Sequence, residues 1–345
     1  MGAPPFGWLR APRAESRGAS DGAGGPGGEA PRIRMKSYYD IVGDGGSRIL
    51  EQVTEQRARI TDGLAGVRHL VAVGSGKGGV GKSTLTLQIA NVLRARGLRI
   101  AILDADFNGP SQARMAGVQG AVVVPGSRKA VLPRTRNGIG VFSMGSLIPE
   151  SEALDFDSTA RGESHTWRAT KEFTLLAEIL GAFEWGELDL LLFDLPPGAE
   201  RTVQYADFLG PHASFVLVTI PSEVSRGVVA RSIAALSKRS HRVLGYVENM
   251  SGYYCRDCNA IKPLFPSTRP HRGLAHPSTS LGMTLSPSKG QGGSPELHVD
   301  CLGSVPFDPE LARQCDQGIP LAGGDGSPVS VALEQIAQRL LESLD

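Results

Sequence analysis

The chain has 345 residues, enough for one or two sizeable cores, and carries 36 Lys and Arg against 35 Asp and Glu. A net charge of +1 gives no global electrostatic basis for binding nucleic acid or an anionic membrane. The sequence has no apolar run of about 18 residues, so no transmembrane helix is expected. Its four cysteines are too few for a disulfide scaffold, which favours a reducing compartment, the cytoplasm.

The first 34 residues differ in composition from the rest of the chain. Residues 1–34 are rich in Gly, Pro, Ala and Arg and lack the apolar core of a secretory signal. Glu15, Asp21 and Glu29 are untypical of an Arg-rich transit peptide. A disordered tail, or an extension upstream of Met35, is therefore the preferred interpretation.

From about residue 47 short apolar runs alternate with segments of helical periodicity. An amphipathic lead-in helix is predicted over 47–63. The predicted strands are 69–74, 99–106, 141–145, 188–198, 214–221, 242–251 and 297–306. The predicted helices are 83–97, 172–185, 223–239 and 328–344. Apolar strands that alternate with helices predict an α/β fold, a doubly wound and mainly parallel sheet covered on both faces.

One segment breaks this alternation. Residues 266–295 are loaded with Pro, Ser, Thr and Gly and show no periodicity. We interpret them as a disordered insertion or a long loop. The predicted single domain then consists of 47–265 and 296–345.

The stretch "GSGKGGVGKST" (74–84) has the spacing of a phosphate-binding P-loop between a predicted strand and a predicted helix. Backbone N–H groups of such a loop surround phosphates, and Lys82 is expected to reach the β- and γ-phosphates of ATP. Ser83 is expected to ligate Mg²⁺, and Thr84 to cap the helix and touch phosphate. The alternative is a glycine-rich turn without a ligand. The predicted nucleotide loop comprises Gly76, Lys77, Gly78, Gly79, Val80, Gly81, Lys82, Ser83 and Thr84.

Acidic residues follow two of the predicted strands. Asp194 ends the run "LLLFD", and Asp104 and Asp106 end "ILDAD". Open α/β sheets bind ligands at the carboxyl ends of their strands, where a carboxylate such as Asp194 can hold a water bound to Mg²⁺. A single such Asp is more often a cap or a turn residue. Two such strands beside a P-loop favour the nucleotide site.

The loop holds a second lysine, Lys77, and its pattern K-G-G-V-G-K-S resembles the deviant Walker A group of P-loop ATPases. That group includes the MinD and ParA positioning ATPases and the nitrogenase iron protein. The resemblance implies an ATP-dependent homodimer in which Lys77 reaches the partner's nucleotide. It also implies that Asp104 lies near Mg²⁺, that Asp106 orients the attacking water and that Asn249 contacts adenine. A solvated lysine and an ordinary turn asparagine are the local alternatives for Lys77 and Asn249.

The segment "YYCRDCNA" (253–260) places Cys255 and Cys258 three positions apart. This spacing alone is compatible with half of a zinc site, a redox dithiol, half of an iron–sulfur site, or chance. Cys301 and Cys315 show no such pairing, and buried structural thiols are expected there.

Several segments that follow one another along the chain indicate which branch of this ATPase group the sequence resembles. The P-loop, "DADFNGPS", "SMG", "WR", "DLPPG" and "VENMSGYYCRDC" together resemble the Mrp-type ATP-binding iron–sulfur carrier family, over about 67–265 and again over about 299–322. The resemblance implies slow ATP hydrolysis and a 4Fe–4S cluster that bridges two subunits. Cys255 and Cys258 of each subunit would hold half of it, and apoprotein acceptors would receive it.

Three alternatives stay open. A ParA/MinD-like positioning ATPase would need a basic amphipathic helix or patch, yet the tail 329–345 has Arg339 as its one basic residue. A redox ATPase like the nitrogenase iron protein would need two separate cysteine half-sites. A degenerate member would have lost activity through its insertion. The chain also departs from the family at Arg201, which replaces an acidic residue and calls a secondary nucleotide-linked contact into question.

Overall fold

A computed structural model of the chain describes residues 58, 60–121, 124–125, 129–146, 165–265, 283–285, 297–319 and 326–345. The helices are α1 (Lys82–Ala95), α2 (Gln112–Met115), α3 (His165–Ala182), α4 (Ala199–Leu209), α5 (Glu223–Lys238), α6 (Pro309–Asp316) and α7 (Pro328–Leu344). The strands are β1 (Val67–Ser75), β2 (Ile100–Asp104), β3 (Val124–Pro125), β4 (Ala130–Val131), β5 (Gly140–Phe142), β6 (Phe183–Glu184), β7 (Leu188–Asp194), β8 (Ala213–Thr219), β9 (Arg242–Cys255), β10 (Ala260–Lys262), β11 (Met283–Leu285), β12 (Leu297–Val299) and β13 (Cys301–Phe307).

Eight strands form the central sheet. Seven follow the order β10-β9-β8-β1-β7-β2-β5, and β13 pairs with β9. Every pair in this sheet is parallel except the β9–β10 hairpin. The chain leaves β1 towards β2 on one side and later adds β8 and β9 on the other. The carboxyl end of β1 therefore lies where the winding changes direction, the usual ligand position in open α/β sheets.

Both faces of the sheet are covered, which explains the continuous apolar strands. In β1, Val71 and Val73 pack into one core together with side chains of α1 and α7. Leu70 and Ala72 alternate with them and pack into a second core with side chains of α3, α4 and α5. The prediction of a doubly wound, mainly parallel sheet is confirmed.

β9 has 14 residues and links three strands. It pairs in parallel with β8 and β13 and in a hairpin with β10. Its pairing with β8 ends at Glu248, and Met250 then takes a positive φ of 55° beside a register shift against β13. The last part of β9 therefore extends past the end of β8 and carries the first cysteine of the pair.

The structure adds helices that the periodicity did not predict. α4 follows the Pro-Pro-Gly turn directly and is amphipathic, with Thr202, Val203, Tyr205 and Ala206 buried. α6 is only eight residues long, but Asp308 caps it and Pro309 occupies its first turn, and both signals are present in the sequence. The helix predicted over 172–185 ends at Ala182, because Phe183 and Glu184 pair with β4 instead.

Some predictions fall outside the described residues. The tail 1–34 and most of the lead-in helix 47–63 lie there, although residues 60–63 are described and helical. Within 266–295 the structure describes only β11, which pairs with β12 and so differs from the predicted lack of regular structure. None of the described helices is long and apolar enough to cross a membrane.

β13 packs against α7 with no room for a side chain at Gly303. A Cβ atom there would lie 2.6 Å from Cγ1 of Ile336 in α7. We expect Gly303→Ala to lower the free energy of unfolding by about 1–3 kcal/mol, because the Ile336 side chain, or the helix that carries it, must shift. Urea unfolding measures this change.

Gly227 in α5 provides the matched control. A Cβ atom there would meet only Arg231 Nη1, at 3.8 Å, and alanine favours a helix interior over glycine. Gly227→Ala should leave the stability unchanged or raise it by up to about 1 kcal/mol. Equal destabilisation by the two substitutions would contradict the packing argument.

Candidate nucleotide site and cysteine pair

The predicted P-loop joins the end of β1 to the start of α1. Gly79 and Gly81 have φ values of 77° and 79°, in the left-handed region that favours glycine. A Cβ atom at Gly81 would lie 2.2 Å from Nδ2 of Asn249. Asn249 Nδ2 in turn donates to the carbonyl oxygen of Val80 at 2.8 Å. The loop is thus held against β9, and the asparagine predicted to contact adenine touches the loop itself.

The lysine of the loop is buried against an acidic strand end. Lys82 is 7% exposed, and its ammonium group pairs with Oδ1 of Asp194 at the end of β7. Its Nζ atom also lies 3.2 Å from Oγ of Ser83. Thr86 Oγ1 donates to the same Asp194 oxygen at 3.4 Å. The buried charge of Asp194 is therefore balanced directly by Lys82.

Thr84 does not cap α1, so that prediction is wrong. The cap position is Gly81, and no side chain makes a cap hydrogen bond. The reason is positional, since Thr84 lies inside the first turn of a helix that begins at Lys82. Its hydroxyl lies 3.8 Å from the Met115 sulfur atom.

Asp104 and Asp194 lie side by side, because parallel β2 and β7 pair these two residues directly. Oδ2 of Asp104 accepts hydrogen bonds from the N–H groups of Ser111 and Gln112, both at 3.1 Å, and from the Ser143 hydroxyl at 2.9 Å. Burial, and then the neighbouring charge of Asp194, raise the pKa of Asp104 to about 7. Such a pair of carboxyl groups suits a cation with oxygen ligands.

Asp106 lies two residues beyond, at the mouth of the site. It is half-buried, and its Oδ1 accepts a hydrogen bond from Gly109 N–H at 3.2 Å. Its own N–H donates to Asp104 Oδ1 at 3.2 Å, and burial raises the pKa of its carboxyl group. Lys77 is exposed on the P-loop. Of the predicted residues, the fold thus brings Lys82, Ser83, Asp104, Asp106, Asp194 and Asn249 to one edge of the sheet.

A buried network behind this edge was not predicted. The Tyr205 hydroxyl lies 2.9 Å from the carbonyl oxygen of Ala105, between the two aspartates, and 2.5 Å from Oε1 of Glu172. Arg201 pairs with the other Glu172 oxygen, and its guanidinium carbon lies 5.6 Å from the centre of the Tyr205 ring. Arg201, the departure noted in the sequence, therefore supports the strand end that carries Asp106.

Gln112 is a second residue that sequence analysis missed. Its side chain is buried and donates to both Ser83 O and Asp194 Oδ2, at 2.9 Å each. Its place directly after "DADFNGPS" was the only sequence signal. Ser143, which donates to Asp104, follows β5 and lies within the "SMG" segment.

Cys255 ends β9, and Cys258 lies in the exposed turn that leads to β10. The turn is closed by Asn259, whose φ is 49° and whose Oδ1 accepts from the Tyr254 hydroxyl at 2.8 Å. The backbone N–H and the thiol of Cys258 both donate towards the Cys255 sulfur, which lowers the pKa of the Cys255 thiol. Thiolate is the form that binds metals, so this geometry favours a metal ligand pair.

Arg256, one of the two residues between the cysteines, ties the turn to α6. Arg256 donates to both Asp308 oxygens, from Nε at 3.2 Å and from Nη2 at 2.6 Å. Asp308 is almost fully buried, and its Oδ1 also accepts from the N–H of Glu310 as the cap of α6. The paired arrangement is geometrically specific, because both partners are planar and two bonds form.

The other two cysteines, both expected to be buried structural thiols, lie away from this pair. Cys315 is buried, and its sulfur accepts from Gln88 Nε2 at 3.3 Å, while Cys301 is half-buried in β13. In the part of the chain that the structure describes, no group of three or more His, Cys, Asp or Glu side chains could hold a metal ion. Cys255 and Cys258 are thus two neighbouring thiols without a third such ligand beside them among the described residues.

Solved structures share this fold. A nucleotide-binding protein from Archaeoglobus fulgidus in complex with ADP matches with a TM-score of 0.56 at 28% identity, over 76% of this chain and 90% of that one. The cell division ATPase MinD of Pyrococcus furiosus matches with a TM-score of 0.50 over 80% of this chain and 99% of that one. Its 18% identity supports the fold alone.

Comparison of sequences gives the family. The cytosolic Fe-S cluster assembly factor NUBP2 of Bos taurus is 37% identical over 286 residues, which cover 81% of this chain and 94% of that protein. The iron-sulfur cluster carrier protein of Methanocaldococcus jannaschii is 30% identical over 85% of this chain and 91% of that protein. Residues 66–341 match the ParA family model described as NUBPL iron-transfer P-loop NTPase. This chain, with its P-loop, its acidic strand ends and its cysteine pair, belongs to that family of iron-transfer P-loop NTPases.

Proposed function

We propose that this protein binds and slowly hydrolyses ATP as a homodimer, and carries a 4Fe–4S cluster as cargo to apoprotein acceptors in the cytosol. The observation that carries the proposal is the course of β9. This strand contacts the P-loop through Asn249 and ends at the Cys255–Cys258 pair. A positioning ATPase of the same fold has no chemical use for two thiols held together at the end of this strand.

The P-loop fits the phosphate chain of ATP. The first turn of α1 leaves backbone N–H groups without helical partners, and Lys82 adds a positive charge at the same end. In the proposed complex the loop from Gly76 to Thr84 surrounds the phosphates, and Lys82 exchanges Asp194 for the β- and γ-phosphate oxygens. Asn249 is proposed to contact adenine while it still borders the loop.

The acidic strand ends fit Mg²⁺, because the ion prefers oxygen ligands and the Ser83 hydroxyl and the Asp194 carboxylate lie together there. When bound, Mg²⁺ supplies positive charge that neutralises the transferring phosphoryl group. Asp104 would fix the backbone around the ion through three N–H groups that donate to it, and it also holds the Ser143 hydroxyl. Asp106 is half-buried at the mouth of the site and is proposed to orient the attacking water.

The cluster needs more thiolates than one subunit presents. Four thiolates hold a 4Fe–4S cluster, and a two-fold axis that brings the same surface of two subunits together doubles the Cys255–Cys258 pair. Cys258 is exposed, as a site that hands its cargo to an acceptor requires. Ile261 and Leu264, which follow the pair, are exposed apolar residues suited to such a contact.

Mixed dimers test whether Lys77 acts on the partner's nucleotide. Lys77→Ala and Asp106→Asn should each abolish hydrolysis as homodimers. If Lys77 acts across the interface, one site of each mixed dimer combines an intact Lys77 with an intact Asp106. Random mixing should then restore about a quarter of the wild-type ATPase rate. Phosphate release from unfolded and co-refolded mixtures measures this rate.

The control for the mixing experiment is a mixture of either variant with itself. Lys77 is exposed, so its replacement should not disturb the fold. Absence of any rescue in mixed dimers would show that Lys77 serves its own subunit or has no role.

Anaerobic reconstitution tests the cargo site. The wild-type chain should bind about four iron and four sulfide per dimer. Cys258→Ala should lose most of this iron, because half of the four thiolates disappear. Cys301→Ala is the control and should keep the full complement, since Cys301 lies in β13 away from the pair. Iron, acid-labile sulfide and zinc are assayed together with the mass in solution. Zinc alone, or full iron in Cys258→Ala, would refute the assignment.

Asp104 should make the stability of the ligand-free protein depend on pH. Its pKa is about 7 in the folded chain against an ordinary value of 3.8. Between these two values the folded state therefore keeps a proton on Asp104 that the unfolded chain has released. The stability that this proton contributes is lost as the pH rises from about 4 through 7. The slope reaches up to about 1.4 kcal/mol per pH unit. Urea unfolding at pH 5 to 8 should show this slope in the wild type and a flatter one in Asp104→Asn. The same dependence of stability on pH in both proteins would contradict the role assigned to Asp104.

A further inference from the structure

Gln112 contacts every residue proposed to surround Mg²⁺. Its Nε2 atom donates to the carbonyl oxygen of Ser83 and to Oδ2 of Asp194, both at 2.9 Å. Its backbone N–H donates to Oδ2 of Asp104 at 3.1 Å. The residue is 0% exposed, so water from the bulk does not reach it in this arrangement.

The other half of the same amide has no partner. Oε1 of Gln112 makes no hydrogen bond with any residue that the structure describes. Turning the amide over would place this oxygen against two other acceptors, the Ser83 carbonyl and the Asp194 carboxylate. A buried acceptor that is left unpaired is unfavourable, because it has lost its hydrogen bonds to water without a replacement. A fixed amide with one empty acceptor therefore indicates that a donor arrives when the site is loaded.

The chemistry of the loaded site limits what this donor can be. Phosphate oxygens accept hydrogen bonds and cannot satisfy Oε1. The Lys82 ammonium group is directed at Asp194 and Ser83 here and at phosphate in the proposed complex. Mg²⁺, in contrast, keeps several of its waters when proteins bind it, and each of these waters is a strong donor.

We propose that Gln112 is a positioning residue of the ATP–Mg²⁺ site, whose Oε1 accepts a hydrogen bond from a water bound to Mg²⁺. Its Nε2 meanwhile holds the Asp194 carboxylate in place for the same ion. This inference rests on the proposed nucleotide site and adds an outer contact to it. Groups that orient the ligands and waters of a metal in this way commonly contribute about 10–100-fold to metal affinity.

Manganese provides the probe, since Mn²⁺ replaces Mg²⁺ and its free form is measured by electron paramagnetic resonance. The full-length protein is saturated with ADP and titrated with Mn²⁺, as wild type and as Gln112→Met. We expect the variant to bind Mn²⁺ at least about 10-fold more weakly. Its affinity for ADP in the presence of EDTA should stay within about two-fold, because the phosphate contacts remain. A merely structural role would change both affinities together.

Gln314 in α6 provides a matched control. Its Nε2 donates to Glu310, and its Oε1 is also buried without a hydrogen-bond partner among the described residues. Gln314→Met also removes a side-chain amide, but at a position away from the acidic strand ends. This variant should keep the wild-type Mn²⁺ affinity. If Gln112→Met does not fold, Gln112→Asn keeps an amide but withdraws its oxygen by one methylene, and should show the same loss.

The possible outcomes separate the two proposals. Equal Mn²⁺ affinity in the wild type and in a folded Gln112 variant overturns the role of Gln112 and leaves the nucleotide site intact. A wild type that binds ADP but gains no Mn²⁺ overturns the magnesium site itself, and the role of Gln112 with it. A loss of Mn²⁺ affinity in Gln314→Met as large as in Gln112→Met also overturns the assignment.

Discussion

The parallel pairing of β2 with β7 is the constraint on which the site depends, because it sets two carboxyl groups side by side in a buried place. Water cannot stabilise these charges there, and an isolated buried carboxylate is strongly unfavourable. Two sets of contacts stabilise these carboxyl groups. Lys82 forms an ion pair with Asp194, and Asp104 accepts four hydrogen bonds. The P-loop, α2 and the end of β5 are all fixed around this pair. Removing either member of a buried ion pair costs about 3–5 kcal/mol, so the sheet edge tolerates little rearrangement without a replacement charge.

In the proposed complex, ATP–Mg²⁺ would provide such a replacement on both sides of the ion pair at once. Phosphate oxygens would take over Lys82 and the metal would take over Asp194, so neither group would be left buried and alone. The proposed exchange is therefore a swap of partners. The network of Glu172, Arg201 and Tyr205 holds the backbone next to Asp106 through the carbonyl oxygen of Ala105. Arg201 in place of an acidic residue thus has a structural partner in Glu172.

Many elements of the fold and of the site were predicted from the sequence, and the predictions that failed did so for physical reasons. Long buried strands and the P-loop were predicted because apolar runs and fixed glycine spacing are local signals. The cysteine pair was located by its spacing, although its cargo required the resemblance to a family. Gln112, Tyr205 and Glu172 were missed because their partners are distant in sequence, 82 residues in the case of Gln112 and Asp194. Thr84 was misassigned although the helix start was predicted to within one residue, because a residue inside the first turn cannot cap the helix that contains it. Asp308 went unnoticed although Asp-Pro before a short polar helix is a cap signal.

β9 fixes the distance between the P-loop and the cysteine pair, because one strand carries a contact to each of them. Asn249 and Cys255 are six residues apart on it, a span of at most about 20 Å. Side chains alternate between the faces of a strand, so a single residue inserted between the bend at Met250 and Cys255 would turn the Cys255 thiol to the opposite face. A longer loop on either side of the hairpin would leave the Cys255 thiol on the same face, whereas a longer segment 250–254 would not. The length of this one segment therefore fixes how the thiol is presented relative to the P-loop.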